Sequence, residues 1–271
     1  SMDATIDFLK KHKDGDKPMF AVTWFPAPHS PHLETPVDFQ GSEDLYKDEK
    51  NRGYFLEITL IDQQLGKLRR SLRDLEIADN TLVWYCSDNG GLVEESSGGR
   101  AKKGSIYEGG LRVPSILEWP VKLKSGMIDT PAGTFDIYPT LLTIAGAVVD
   151  HQPRLDGINL AEIIEGKQSW RPAMGFWHLN TQGQSTWSDR IIKQLLEAQQ
   201  AGKPTPLPER LLKNVGEFSS FTRGDYKGHA AWNDWPWKLH RIQQNDQVTV
   251  ELYQLVDDPM EAHDLAQREK E

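Results

Sequence analysis

Residues 52–91 read RGYFLEITLIDQQLGKLRRSLRDLEIADNTLVWYCSDNGG, and the patterns within them decide the fold class. Tyr54, Ile58, Ile61, Leu65, Leu68, Leu72 and Leu75 step by four and three in turn. That spacing lays one apolar stripe along an α-helix, here from Arg52 to Leu75. A coiled coil shares the pattern. This stretch, however, lies between two strand-like segments, "MFAVTWF" (19–25) and "TLVWYCS" (81–87). A crossover helix packed on a parallel sheet fits that setting, so the chain up to Ser87 reads β-α-β, the unit of an α/β fold.

Both strand-like segments run into loops with polar side chains. "PAPHSPHLETP" (26–36) holds four prolines, which preclude regular structure and leave His29 and His32 on a loop. "SDNGG" follows the second strand. Ligands of open α/β sheets gather at strand carboxyl ends, and both loops occupy that position. Further out, Asp3 can cap a short helix bearing Ala4, Ile6, Phe8 and Leu9. "RVPSILEWP" reads as another strand, and "TFDIYPTLLTIAGA" as a helix ending at Gly146.

The α/β pattern fades beyond Trp170. There "AMGFWHL" is strand-like, Ser188 to Gln200 form a helical insert, and "AAWNDWPWKLHRI" and "VTVELYQLV" suit an antiparallel sheet. "DDPMEAHDLAQREKE" closes the chain as a polar helix. The expected organisation is residues 1–170 as the later part of an α/β domain and 171–271 as a C-terminal α+β subdomain with a helical insert.

The 271 residues suffice for a sizeable core, and a single cysteine rules out an internal disulfide or a Cys-rich zinc site. A net charge of −9 argues against sequence-independent nucleic-acid binding, which needs a basic face. No apolar run approaches the roughly 20 residues that span a bilayer. "SM" at the start resembles an expression scar, so the natural protein is expected to begin further upstream.

Several residues could carry chemistry. Asp88 and Asn89 offer a carboxylate and an amide oxygen, donors suited to calcium or magnesium, although Asp-Asn-Gly-Gly is also a good turn sequence. By themselves these four residues favour the plain turn. Cys86 sits on the strand with no basic neighbour to lower its pKa, which favours a small buried hydrophobe over a nucleophile. His29 and His32, three apart, could ligate a metal or contact an anion. "RAKKGSIYEGGLRVP" sets Arg100, Lys102 and Lys103 among glycines in an acidic protein. Fixed cations of this kind meet the charge that develops when an anionic ester is hydrolysed; a flexible basic loop is the simpler alternative.

In order along the chain, these segments resemble the sulfatase family, the formylglycine-dependent branch of the alkaline-phosphatase superfamily. "PHSP" resembles its Pro-His-x-Pro loop, "TLVWYCSDNGG" its metal loop and "KGSIYEGGLRVP" its Lys-Gly-x-x-x-Glu-Gly-Gly-x-Arg-Val-Pro segment. "FDIYPTLLTIAG", "DGINL", "WPWKL" and "ELYQLVDDPMEAHDLA" resemble later landmarks. The resemblance implies an alkaline-phosphatase-like mixed sheet flanked by helices, present in part, plus a small C-terminal antiparallel sheet with a helix. It implies Asp88 and Asn89 as ligands of one divalent cation, usually calcium, and reverses the turn-only reading. It implies that Lys103 and His29 hold the sulfate and that either can help protonate the leaving alcohol. Lys102, His32, Glu108 and Arg112 are left to support the loops.

Sulfatases open with a segment carrying an Asp-Asp metal pair and a Cys/Ser-x-Pro-x-Arg signature whose first residue becomes formylglycine, and that opening segment does not stand in these 271 residues. The chain therefore resembles the back half of a sulfatase. In the whole enzyme, hydrated formylglycine would attack sulfur and expel the alcohol; the isolated chain is expected to be inactive. Phosphate or phosphonate ester hydrolysis, or a non-catalytic binding or assembly module, are the alternatives. The expected partner is a sulfated small molecule or sulfated glycan, with no nucleic acid and no membrane. Surfaces that the missing segment would cover imply self-association or pairing with the protein's own N-terminal half. The segment from Thr181 to Glu217, with Trp187, is a candidate for substrate contact or a solvated decoration. Localisation stays open at this point; many bacterial relatives are exported, so a periplasmic or extracellular setting fits the full-length protein.

Overall fold

The computed structural model describes residues 1–32, 46, 50–178, 187–204 and 228–266. It divides into two compact units, one of Ser1–Tyr85 with Ser115–Ser169, the other of Cys86–Pro114 with Trp170–Glu271.

In the first unit, α1 (Met2–His12) turns Met2, Ile6 and Leu9 inward. The four-and-three stripe forms α2 (Arg52–Asp74), which buries Tyr54, Leu56, Ile61 and Leu72 together with the carboxylate of Glu57. Ile58, on the expected stripe, stays 37% exposed. An ion pair between Lys67 and Asp3 joins the two helices at their surface. β1 (Val83–Cys86) pairs with β2 (Ser115–Glu118) in a two-stranded sheet. Arg69 of α2 reaches Glu118 through two hydrogen bonds of 2.7 and 2.9 Å.

A buried carboxylate closes this unit. Asp136 lies at the N-terminus of α4 (Ile137–Ala145), is fully buried, and accepts from the backbone N–H of Gly133 and of Ile158, each at 2.8 Å. Thr140 donates to the Asp136 carbonyl at 2.7 Å and accepts from the Leu160 N–H at 2.9 Å. Buried main-chain groups need such partners, and these two side chains supply them to residues 158–160, ahead of α5 (Ala161–Ile164). Two separate sequence landmarks, "FDIYPTLLTIAG" and "DGINL", are thereby one packed feature.

The segment "MFAVTWF", expected to be a buried strand, pairs with no strand among the described residues, and Phe20, Val22 and Trp24 are 69%, 57% and 83% exposed. A strand exists through ladder hydrogen bonds to a neighbour, and apolar content alone does not make one.

The second unit is built on a four-stranded antiparallel sheet in the order β3-β4-β5-β6: Met174–Trp177, His229–Asp234, Trp237–Gln244 and Gln247–Gln254. Where β3 ends and β4 begins, the His178 N–H donates to the His229 carbonyl at 2.9 Å. Between them lies α6 (Trp187–Gln200), as expected from sequence; the rest of the Thr181–Glu217 candidate segment, apart from 201–204, lies outside the described residues. The closing polar helix does not form over 257–266, where the chain makes turns. Asp258 accepts from the N–H groups of Ala262 and His263, and Asp264 from those of Leu252 and Ala266. Short acidic side chains that capture nearby N–H groups in this way compete directly with helix formation.

Strand register splits the sheet into two unlike faces. On the outer face Trp177, Trp232, Leu239 and Val250 are 42–63% exposed. On the inner face Lys238 stands between Asn233 and Tyr253, and His240 between Ala231 and Glu251. The first half of β5 therefore buries Lys238 and His240 and exposes Trp237 and Leu239.

Candidate functional site

The Asp-Asn-Gly-Gly loop follows β1 directly. Asp88 is exposed, Asn89 half-buried, and the Ser87 hydroxyl donates to the Asn89 carbonyl at 2.9 Å. Beyond the turn the backbone presses against residues 100–110. Gly90 N–H donates to the Gly110 carbonyl at 2.9 Å, Lys103 N–H to Gly91 at 2.9 Å, and Gly109 N–H to Arg100 at 2.8 Å. A Cβ on Gly90 would lie 1.9 Å from the Gly109 carbonyl oxygen, and one on Gly109 would lie 2.1 Å from that of Ala101. Only glycine permits main chains this close. The glycines shared by "SDNGG" and "KGSIYEGG" are thus the contact that fixes Lys103 relative to Asp88 and Asn89.

α3 (Glu108–Leu111) anchors this segment to the inner face of the C-terminal sheet. Lys238 Nζ, fully buried, lies 2.7 Å from Glu108 Oε1 and 3.1 Å from Glu261 Oε1. Glu261, also fully buried, accepts the Glu108 N–H at 2.6 Å and lies 2.7 Å from His240 Nε2. His240 Nδ1 in turn meets His229 Nε2 at 2.8 Å. Beside this chain, Tyr107 and Tyr253 both donate to Glu251, and Arg100 donates to the Tyr253 hydroxyl and the Glu261 carbonyl while lying over the Tyr107 ring. Buried charges persist only when paired and hydrogen-bonded, and here each ion has several partners. Burial alone would push the Glu261 carboxyl up, but the bond from His240, the charge of Lys238 and the Glu108 N–H together hold it below its ordinary value.

His229 is depressed to about 4, first by burial and then by the nearby charge of His240. A folded-state pKa below the unfolded one means that the unfolded chain binds more protons across the interval. Stability contributed by His229 is present above its ordinary 6.5 and is lost as pH falls toward 4, with Glu261 adding loss below its ordinary 4.5. The thermal midpoint of the chain is therefore expected to fall between pH 7 and pH 4, and His229→Gln to flatten the upper part of that slope. A midpoint that stays level from pH 7 to pH 4 would contradict the buried network.

An open cleft of about 260 Å³ lies at the tip of this segment, lined by Ala101, Lys102, Lys103, Gly104, Ser105, His178 and His229. Lys102 and Lys103 are exposed along it. Sequence reasoning picked out the lysines and missed His178, His229, Lys238, His240 and Glu261. The signal for Lys238 and His240 was the alternation "WKLHRI" itself, which is equally regular whichever face turns inward.

The other two histidines belong to the first unit. His29 is exposed, and its Nδ1 lies 2.8 Å from the Ser30 carbonyl. A carbonyl can only accept, so Nδ1 carries the proton and Nε2 is the second, outward-acting nitrogen. His32 Nδ1 lies 3.0 Å from the buried carboxylate of Glu57, which ties its loop to α2. Arg112 is exposed. Cys86 is half-buried, and burial with the adjacent Asp88 charge pushes its thiol up, the reverse of an activated nucleophile.

Asp88 and Asn89 carry the hard oxygen donors that a divalent cation takes, so they fit one in kind. Among the described residues, no group of three or more His, Cys, Asp or Glu side chains converges as a metal cage. Calcium takes about six to eight oxygens, so these two residues would be part of a shell.

Comparison with known proteins bears on these residues together. The Sulfatase family model matches residues 1–147, more than half of the chain. A protein of Formosa agariphila named Sulfatase is 31% identical over 195 residues, covering 65% of this chain and 35% of that protein. Human steryl-sulfatase is 34% identical over 138 residues, covering 46% of this chain and 24% of its own length. The chain thus spans about a third or less of these curated relatives. The crystal structure of Ps i-CgsB in complex with k-i-k-neocarrahexaose superposes with a TM-score of 0.71 at 24% identity, over 99% of this chain and 50% of that one, which shows a shared fold. The chain belongs to the sulfatase family and carries part of its alkaline-phosphatase-like fold.

Proposed function

We propose that this chain is the C-terminal portion of a hydrolase of sulfate esters. The observation that supports the reading is the glycine-mediated clasp, which holds the main chain of the Asp88-Asn89 loop against that of Lys103. Asp88 and Asn89 would supply two ligands of a divalent cation, calcium by family resemblance. When bound, that cation supplies positive charge, and a formylglycine of the upstream segment supplies the nucleophile.

The remaining work falls to this chain's own residues. Lys103 neutralises charge on the sulfate oxygens as it builds, from a main-chain position held by its bond to Gly91. His29 shares that task. Its Nδ1–H is occupied by Ser30, so its Nε2 is the atom that would carry a proton to the departing alkoxide. Lys102, Glu108, His32 and Arg112 hold or flank these loops. The exposed Phe20, Val22 and Trp24 support pairing of this chain with its N-terminal half, whose strands would cover them.

The purified 271-residue chain is expected to show no sulfate-ester turnover and to self-associate or to co-purify with its co-expressed N-terminal half. The full-length protein is expected to hydrolyse sulfate esters in preference to matched phosphate and phosphonate esters. Turnover by the chain alone, or a full-length preference for phosphorus esters, would overturn the reading.

A further inference from the structure

Two landmarks late in the chain, "WPWKL" and "ELYQLVDDPMEAHDLA", supply no group to the reaction described above, yet the structure brings both to the segment that carries Lys103. Glu261, in the second of them, is bonded to that segment at both of its ends. Its carboxylate accepts the Glu108 N–H at 2.6 Å, and its carbonyl accepts from the Arg100 guanidinium at 3.2 Å. The Gly109 N–H, donating to the Arg100 carbonyl at 2.8 Å, draws the same two ends together. Lys103 lies between them, so the loop that presents it is closed on a single residue distant in sequence.

Glu261 is itself firmly held. Its side chain is fully buried and its two oxygens divide the work: Oε1 lies 3.1 Å from Lys238 Nζ and 2.7 Å from His240 Nε2, while Oε2 takes the Glu108 N–H. Its own N–H donates to the Asp258 carbonyl at 3.1 Å. The turn around it is tied to β6 on either side, by Asp258 N–H to the Gln254 carbonyl and by Leu265 N–H to the Leu252 carbonyl, both at 2.9 Å. The backbone at Glu261 lies in the left-handed region, φ 51°, where a β-carbon is disfavoured and glycine is the easier occupant. Nothing in the backbone favours a glutamate there, so the side chain is what the position serves. Ala101, two residues before Lys103, lies in the same region with φ 62°. Strained backbone persists only where surrounding bonds over-determine it, and it gathers at functional segments.

We propose that Glu261 is a positioning residue for catalysis: bonded to Arg100 and to Glu108, it sets the main-chain placement of the loop that carries Lys103. This inference rests on the reading of Lys103 as the residue that meets the sulfate charge. Glu261 touches no substrate itself. A misplacement of about 1 Å in a group that meets the transition state can cost about 100-fold, so releasing the loop lowers turnover although every reacting group remains.

The test is a double-mutant cycle in the full-length enzyme, assayed with para-nitrophenyl sulfate. Glu261→Gln has one oxygen where two are used, so its NH₂ must face either the Glu108 N–H or Lys238 and His240, donor against donor. It is expected to lower kcat by about 10- to 100-fold with KM changed by roughly threefold or less. In a Lys103→Ala background the same change is expected to lower kcat by roughly threefold or less, because the group whose placement it disturbs is already gone. Loss of folded protein would lower both backgrounds alike, and thermal melting measures it directly. Arg100→Gln, at a partly exposed side chain, releases the other end of the loop and carries the same test if Glu261→Gln does not fold. Equal losses in the two backgrounds, or a folded Glu261→Gln enzyme with wild-type kcat, would overturn the positioning role. If the wild-type enzyme hydrolyses no sulfate ester, or if Lys103→Ala keeps wild-type activity, the reading of the site fails and the inference with it; both results are seen before any change at Glu261 is made.

Discussion

Lys103→Ala in the full-length protein is expected to lower kcat/KM for sulfate esters by about 10²- to 10³-fold, the scale on which removing one fixed transition-state partner acts. The Lys103 side chain is exposed, and its place is fixed by the main-chain bond to Gly91. Truncation therefore removes the charge without disturbing the clasp, and the thermal midpoint should move little. On the proposed role the loss should appear in kcat at least as strongly as in KM, because charge on a transferred sulfate is largest in the transition state. Lys103→Arg keeps the charge on a larger, planar head and should retain more activity than the alanine variant. Lys102→Ala, one residue away, should have a smaller effect. Activity of Lys103→Ala within about tenfold of wild type would remove it from the chemistry.

Lys238→Met is expected to be the most destabilising single change in the C-terminal unit. The ammonium group is fully buried between Glu108 and Glu261. Removing it leaves the fully buried carboxylate of Glu261 and the largely covered one of Glu108 without their shared cation. Breaking a buried ion pair by deleting one partner costs about 3–5 kcal/mol, so the urea midpoint should shift markedly, with the slope of the transition little changed. Combining Lys238→Met with Glu108→Gln should recover part of that loss, since one stranded charge is then removed; the coupling is read from a double-mutant cycle. A loss below about 1 kcal/mol would mean that Lys238 is not the buried ion of this network.

The same substitution has a functional readout in the full-length enzyme. The Glu108 and Glu261 contacts set residues 100–110 on the inner face of the sheet, and the clasp to Gly90 and Gly91 sets the Asp88-Asn89 loop on residues 100–110. Stability and placement of Lys103 are consequently linked through one segment.

Much of this was legible in the primary structure, for reasons that differ by element. The helix over Arg52–Asp74 follows from a periodicity that no strand can satisfy, and the helix ending at Ala145 from a run of apolar residues closed by Gly146. The antiparallel strands of the C-terminal sheet follow from β-branched and aromatic runs broken at "DWP" and "ND". Lys103, Asp88 and Asn89 were legible as candidates because their segments stand in a recognisable order. "MFAVTWF" was misread because apolar content signals burial and a strand also needs a neighbour. The closing segment 257–266 was misread because Asp258 and Asp264 capture the N–H groups that a helix would have used.

Sequence by itself determined the family, the main helix and the strands of the C-terminal sheet, and Lys103, Asp88 and Asn89 as candidates. Tertiary structure alone decided which face of β5 turns inward, since a period of two is satisfied equally by burying Trp237 and Leu239 or Lys238 and His240. Only the docking of Glu108 and Glu261 selects the second, by supplying partners that let a lysine and a histidine leave water. It also brought residues more than a hundred positions apart, Lys103 and His229, onto one cleft, because backbone approach at Gly90 and Gly109 and strand pairing at His178 are contacts that no local pattern encodes.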